Sequence, residues 1–431
     1  MSQTALAWVV AYTTSAFMAF VNPVYGLFGY FLDYYGHPPL RWWGKELPDL
    51  RWSLIISLIT LVSVLIHQTK PLEVKTESNR QVRWLVLLVF TSFLVTPTMA
   101  VVKDQSWDKV IELIKLGVLY FLIIKTIRTK EDFHYLILIQ IVGVLLWGWS
   151  AFEDPKRVDG RLSGIGGPDS IRDNGTAAHL LGVLPFIGVV FLEGKVWEKV
   201  ICLIAAPFVL NAFVLCNSRG AFVGLILTGL YTLFITKGRL RKKMVVGLSM
   251  GAVLFYSLMD PQFIERQKTI QNYEEDSSAS SRIELWKAGL NLIKDHPLGV
   301  GGGGYDALSP IYAAEVVAAY GNERTAHNTY VLVASEWGLL GFIFFAAFLI
   351  STFRELHGLR KIPPTTPEQA RLHLETYAIE LGLFGVLAAG IFTNRLYAEA
   401  IYWLPAFAAV VKRLYLNERQ ETSNHNHALS A

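Results

Sequence analysis

Apolar runs of about bilayer-crossing length recur from one end of this 431-residue chain to the other. They fall near 5–34, 52–66, 84–102, 108–124, 133–152, 175–192, 198–215, 219–235, 243–259, 329–350, 375–393 and 396–412. A hydrocarbon core takes ~20 helical residues to cross, and open backbone is not tolerated there. A soluble helical protein would need polar faces that these runs lack. Charged residues make up only 17% of the chain, against ~25% in soluble domains. The sequence therefore predicts an all-α integral membrane protein with about twelve transmembrane helices. The first run is too long for one straight helix, and Asn22-Pro23 in its middle predicts a kink or break.

Lys and Arg gathered in short connections set orientation. The densest cluster, Lys237, Arg239, Arg241, Lys242 and Lys243, is assigned to the cytoplasm. Alternation then puts the basic stretches around Lys70/Lys75, Lys125/Arg128/Lys130 and Arg360/Lys361 on the same side, with both termini. Connections 35–51, 103–107, 153–174, 216–218 and 260–328 fall outside. The expected organisation is an N-terminal region of about nine spans (1–259), a long periplasmic loop (260–328), C-terminal transmembrane helices (329–413) and a cytoplasmic tail (414–431). The N-terminus carries no basic stretch or small-residue cleavage site and reads as a retained span. A net charge of +4 does not imply nucleic acid. Cys202 and Cys216 read as small buried hydrophobes, with no disulfide or metal motif.

The outer connections carry the chemistry. Ser280 or Ser281 is a candidate helix cap, and Ile283, Trp286, Leu290 and Ile293 form one apolar stripe of an amphipathic helix. Arg282 would then sit in the first turn, where an anion is favoured and a cation alone is not. A bound phosphate-like group would account for it; a solvated surface residue is the plainer alternative. His327 sits where the chain turns apolar again, and a neutral imidazole there could take a proton from a hydroxyl. A purely structural interfacial histidine is the competing reading. Arg219 opens another span at the outer border, either snorkelling or facing a cavity as a phosphate ligand. Arg157, Arg161 and Asn174 in or beside the 153–174 loop could supply a further polar wall, or merely an internally paired loop. The Gly301–Gly304 run reads as a flexible helix stop, since it lacks the lysine and hydroxyl of a P-loop. The residues show no metal-ligand spacing around His296 or His327.

These pieces together resemble a known family. Ser218-Arg219-Gly220-Ala221 is one match, and Ser281-Arg282 with Trp286 and Gly289, leading to His296-Pro297-Leu298-Gly299, is another. Ala326-His327-Asn328-Thr329-Tyr330 with Glu336-Trp337-Gly338 completes a motif region of about 217–341. This looks like the O-antigen ligase/polymerase superfamily of bacterial membrane glycosyltransferases. The resemblance implies a GT-C-like helical fold in the inner membrane and an inverting transfer that needs no metal or other cofactor. Its donor would be a glycan on undecaprenyl pyrophosphate, and its acceptor a hydroxyl of lipid A-core. The family's essential arginines fall on Arg219 and Arg282, and its essential histidine on His327. Arg161, Arg157, Asn328 and Asn174 are carried as candidate substrate-binding residues.

A chain polymerase and a protein O-oligosaccharyltransferase share these motifs and differ in acceptor. Related sequences have also been labelled inorganic-carbon transporters. A transporter should hold its ionisable groups near the midplane. Here Glu112 and Lys115 are the main charges well inside a run, while Arg219, Arg282 and His327 gather at the outer border, which favours an enzyme.

Overall fold

The computed structural model describes residues 1–67, 79–158, 160–268 and 277–430. The basic connection expected around Lys70 and Lys75 lies outside these residues, as does part of the 260–328 loop. The chain is helical almost throughout, with one two-stranded hairpin pairing Arg157–Val158 with Arg161–Leu162. In order the helices are α1 Gln3–Ala19, α2 Pro23–Gly36, α3 Trp52–Ile66, α4 Asn79–Met99, α5 Lys103–Thr126 and α6 Lys130–Glu153. After the hairpin come α7 Asp173–Glu193, α8 Val196–Cys216, α9 Arg219–Ile235, α10 Gly238–Leu258 and α11 Pro261–Lys268. The remainder are α12 Ser277–Asp295, α13 Gly304–Tyr312, α14 Ala314–Tyr320, α15 Thr329–Arg360, α16 Pro367–Ala389 and α17 Ala400–Ser430.

Every expected apolar run lies on a helix, but the helices are unequal. Among the described residues six are long and apolar enough to cross a membrane, or seven if α10 and α11, bent by 107°, form one broken span. The other runs fall on shorter helices such as α3 and α9, or on helices such as α5 with charges inside them.

The break at Asn22-Pro23 is sharper than a kink. Asn22 caps α2 through its side chain and Pro23 occupies the first turn, where its missing N–H costs nothing. The chain then folds back on itself. A Cβ at Gly29 would meet Ser15, and one at Gly36 would meet Trp8, so α1 and α2 pack antiparallel. Trp8 stacks on Tyr12 and contacts Trp43 and Trp52, closing a small aromatic core. The N-terminus consequently sits beside the 37–51 segment, with the Ser2 amide on Glu46. Relative to that segment this reverses the expected position of the N-terminus, because a hairpin adds one crossing of the bundle where a kinked span adds none.

Otherwise the connections sort into two ends as their basic residues suggest. At one end Arg413 donates to the Ile124 and Ile127 carbonyls, Lys130 pairs with Glu418, and Arg360 joins Glu380 to the Ile235 carbonyl. At the other end lie the described residues of the 153–172 loop and of the segment from α11 to α15, with the α8–α9 and α16–α17 turns.

The glycine run is not a flexible stop. Gly338 breaks α15 with φ 71° and ψ −178°, and the chain from Pro297 to Gly303 threads into that break. Val300 and Gly301 donate to the carbonyls of Ser335 and Glu336, and Leu339 donates to that of Pro297. The Glu336 carboxylate takes the Gly303 amide at 2.8 Å and the Tyr397 hydroxyl at 2.7 Å. A Cβ at Gly338 would lie 2.4 Å from the Leu298 carbonyl carbon, so the glycines permit a close approach of two backbones.

Candidate active site

Four separate parts of the chain meet at one end of the bundle around a cavity of about 430 Å³. They are the 161–175 loop with the start of α7, α12, the 320–327 segment and the 393–395 turn. Such a volume suits a small polar ligand group with one or two sugar rings. Arg161, Arg172, Arg282, Arg324 and Arg395 line it, with Asp169, Asp173, Asn174, Ser281 and His327.

His327 is held by its neighbours on either side. Ala326 is fully buried, and Asn328 caps α15, its side-chain oxygen accepting from the Tyr330 and Val331 amides at 2.9 and 3.1 Å. His327 itself takes a left-handed backbone, φ 47°, an uncommon conformation outside glycine. The Asn394 side chain accepts the Asn328 amide at 3.0 Å and donates to Thr325. The Thr329 hydroxyl bridges the Thr393 carbonyl and the Arg395 amide, at 2.8 and 2.9 Å. The backbone around His327 is thus held by a lock between two chain segments on either side of α15 and α16.

Burial and then the charges of Arg282, Arg324, Arg172 and Arg161 pull His327 down to about 4. The ring is neutral at physiological pH. Burial, followed by Arg219 and Arg161, lowers Arg282 to about 10, so it remains a cation.

Arg282 does not sit in a first helical turn. Helix α12 begins at Ser277, which moves Arg282 into the second turn and removes the helix-terminus reason for an anion there. The anion-attracting feature is the group of arginines instead. The expected stripe is rotated as well: Leu285, Ala288 and Leu292 pack inward, while Ile283 and Leu290 are exposed. Periodicity had found an apolar helix but not which of its two apolar faces meets the bundle.

Arg219 is the first residue of α9, following Ser218, whose hydroxyl accepts from the Ala221 amide and donates to Asn174 at 2.6 Å. It is not one of the residues lining the cavity, but its charge acts on Arg282. Arg161 lines the cavity and pairs with Asp173. Two candidates go elsewhere. Arg157 turns away to Gln262 and Asp260 on α11 and the residue before it, at 2.7 and 3.5 Å. Asn328 is consumed as a helix cap, because a side-chain carbonyl before an apolar helix finds the orphan amides first.

Three arginines escaped the sequence reading as site residues. Arg172 lies in the same loop as Arg161, and Arg324 stands alone in a polar stretch. Arg395 had a visible signal, a basic residue between two apolar runs on the outer side. Its guanidinium donates to the carbonyls of Asn394 and Asp169, at 2.7 and 3.1 Å. The 37–43 segment also gains a task. Arg41 donates to the carbonyls of Gly36 and Ile165, at 2.9 and 2.7 Å, tying the N-terminal hairpin to the loop that carries Arg161 and Arg172.

Fold and cavity define a helical, multi-pass membrane protein with an arginine-rich pocket at one end of its bundle. Residues 203–346, about a third of the chain, match the O-antigen ligase family model, which supports the resemblance to the O-antigen ligase/polymerase superfamily. The family implies an enzyme of the membrane glycosyltransferase type. Arg219, Arg282 and His327 all lie inside the matched stretch, whereas Arg161, Arg172 and Arg395 lie outside it. No curated protein matches the chain.

Proposed function

We propose that this protein transfers a glycan from undecaprenyl pyrophosphate to an acceptor hydroxyl, as an O-antigen ligase does, on the periplasmic side of the bacterial inner membrane. The observation that carries this is His327, a neutral imidazole facing Arg282, Arg324, Arg172 and Arg161 in one cavity. An anion and a nucleophile's proton can be handled there side by side. The basic connections at the opposite end favour a cytoplasmic assignment for that end, which turns the cavity outward.

In this scheme Arg282 and Arg219 hold the pyrophosphate, with Arg161 and Asn174 beside them. The acceptor oxygen attacks the anomeric carbon from the face opposite the phosphate. The C–O bond to phosphate breaks with its electron pair, leaving undecaprenyl pyrophosphate, and the hydroxyl proton passes to His327. Inversion follows from the single displacement. Fixed guanidinium groups stabilise the departing charge without reorganising, and forked contacts suit phosphate better than a point charge does. No metal need be invoked for that stabilisation.

A bound pyrophosphate offsets the arginines' field and raises the imidazole's basicity. The base would therefore gain strength when the donor is present, which limits wasteful deprotonation. Lipid A-core is the favoured acceptor; a polymerase or a protein O-oligosaccharyltransferase would share this chemistry and differ in acceptor. The test is His327→Ala in the host, scored for surface-glycan attachment at matched protein level. Loss of attachment is expected, and unchanged attachment would sink the assignment.

A further inference from the structure

The cavity holds more positive charge than one pyrophosphate consumes. Five arginines line it against two aspartates, a surplus of three, and the charge of Arg219 acts on one of them, Arg282. A pyrophosphate diester brings one negative charge per phosphate. The aspartates are also already engaged: Asp173 pairs with Arg161, and the Asp169 carboxylate accepts from Tyr34, Ser170 and the Glu399 amide.

Arg324 and Arg172 have no role in the donor group proposed above. Neither has a carboxylate partner among the described residues. Arg172 is exposed on the loop before α7. The Arg324 guanidinium lies 4.1 Å from the centre of the Tyr320 ring, and its Nε is buried with no hydrogen-bond partner. Its backbone N–H donates a hydrogen bond to the Ser309 hydroxyl at 2.9 Å, so the side chain is presented from a defined position. A buried, unpartnered guanidinium N–H is costly unless a ligand completes it. Arg324 also lies three residues before His327 in the same cavity-lining segment.

We propose that Arg324, stacked on Tyr320, anchors a second anion subsite that receives an acidic acceptor glycan, a sugar bearing a carboxylate or phosphate close to the attacking hydroxyl. This rests on the pyrophosphate reading of Arg282 and Arg219. Arg172, another lining residue, adds positive charge to the cavity. The subsite selects acceptors by charge while the donor group stays with the other arginines.

The test uses the full chain in lipid nanodiscs with saturating inorganic pyrophosphate. Trigalacturonate, a phosphorylated neutral trisaccharide and maltotriose are then titrated calorimetrically. At least one acidic trisaccharide is expected to bind about tenfold or more tightly than maltotriose, a gap of ~1.4 kcal/mol, without displacing pyrophosphate. The two acidic arms distinguish carboxylate from phosphate as the recognised group. Arg324→Gln should abolish the preference and leave pyrophosphate binding intact. Should that variant lose pyrophosphate binding through misfolding, Arg324→Lys serves, with a reduced preference because the fork is lost. Competition between acidic glycan and pyrophosphate, or a full preference surviving in the folded variant, overturns the subsite. Failure of the unmodified protein to bind pyrophosphate sinks the donor reading instead, which is a different result.

Discussion

The Asn394 side-chain oxygen accepts the backbone N–H of Asn328 at 3.0 Å, joining the α16–α17 turn to the residue that follows His327. One asparagine thereby registers two parts of the cavity that lie 66 residues apart in sequence. Replacing it by alanine leaves a buried amide unmade, at a cost of ~1–3 kcal/mol. Asn394→Ala is expected to slow transfer on the order of tenfold, through kcat more than through the KM for donor. An unchanged kcat would show that the lock does not position the imidazole.

The charge on His327 gives a second expectation with a definite sign. Its pKa is depressed to about 4 by burial and by four arginines. Adding pyrophosphate, or removing one positive neighbour by Arg172→Gln, takes away part of that repulsion. Both should move the titration midpoint upward, toward the ordinary histidine value of ~6.5, as read by nitrogen-15 NMR of the labelled imidazole. A midpoint that stays put under both treatments contradicts the shared field.

The threading of the glycine run through α15 makes Gly338 a structural residue. A methyl group there meets the Leu298 carbonyl at a backbone angle, φ 71°, that side chains resist. Gly338→Ala should destabilise by roughly 1–3 kcal/mol and lower the thermal midpoint by several degrees. Gly229, with open space around its missing Cβ, provides the neutral comparison. Equal melting of the two variants would contradict the packing.

The N-terminal hairpin predicts a topology. Cysteines at Ser2 and Glu323 should react with an impermeant thiol reagent from one side of the membrane, and a cysteine at Arg239 from the other. Both native cysteines are buried and give a low background. Labelling of Ser2→Cys together with Arg239→Cys would restore a single kinked span for residues 5–34.

The residues of the matched segment were legible because their signals are local. Arg219 and Arg282 are cations beside apolar runs, and His327 sits at a span border, so each stands out against its neighbours. The break at Asn22-Pro23 was legible too, but a proline marks a break without saying whether the chain continues or reverses. Only the packing of Gly29 on Ser15 and of Gly36 on Trp8 decides that. Arg324 and Arg172 were harder, because their role depends on which other cations they face across the cavity. Asn328 could have been read correctly, since asparagine before an apolar run is a capping signal. Proximity to the histidine drew it into the site instead.

The most direct measurement is the release of undecaprenyl pyrophosphate by the purified protein in proteoliposomes, supplied with an undecaprenyl-pyrophosphate-linked glycan and an acceptor. The account predicts release coupled one-to-one to glycan transfer, lost in His327→Ala and reduced at least about tenfold in Arg282→Lys, where charge is kept but the fork is not. Transfer that persists at full rate in both variants would contradict it.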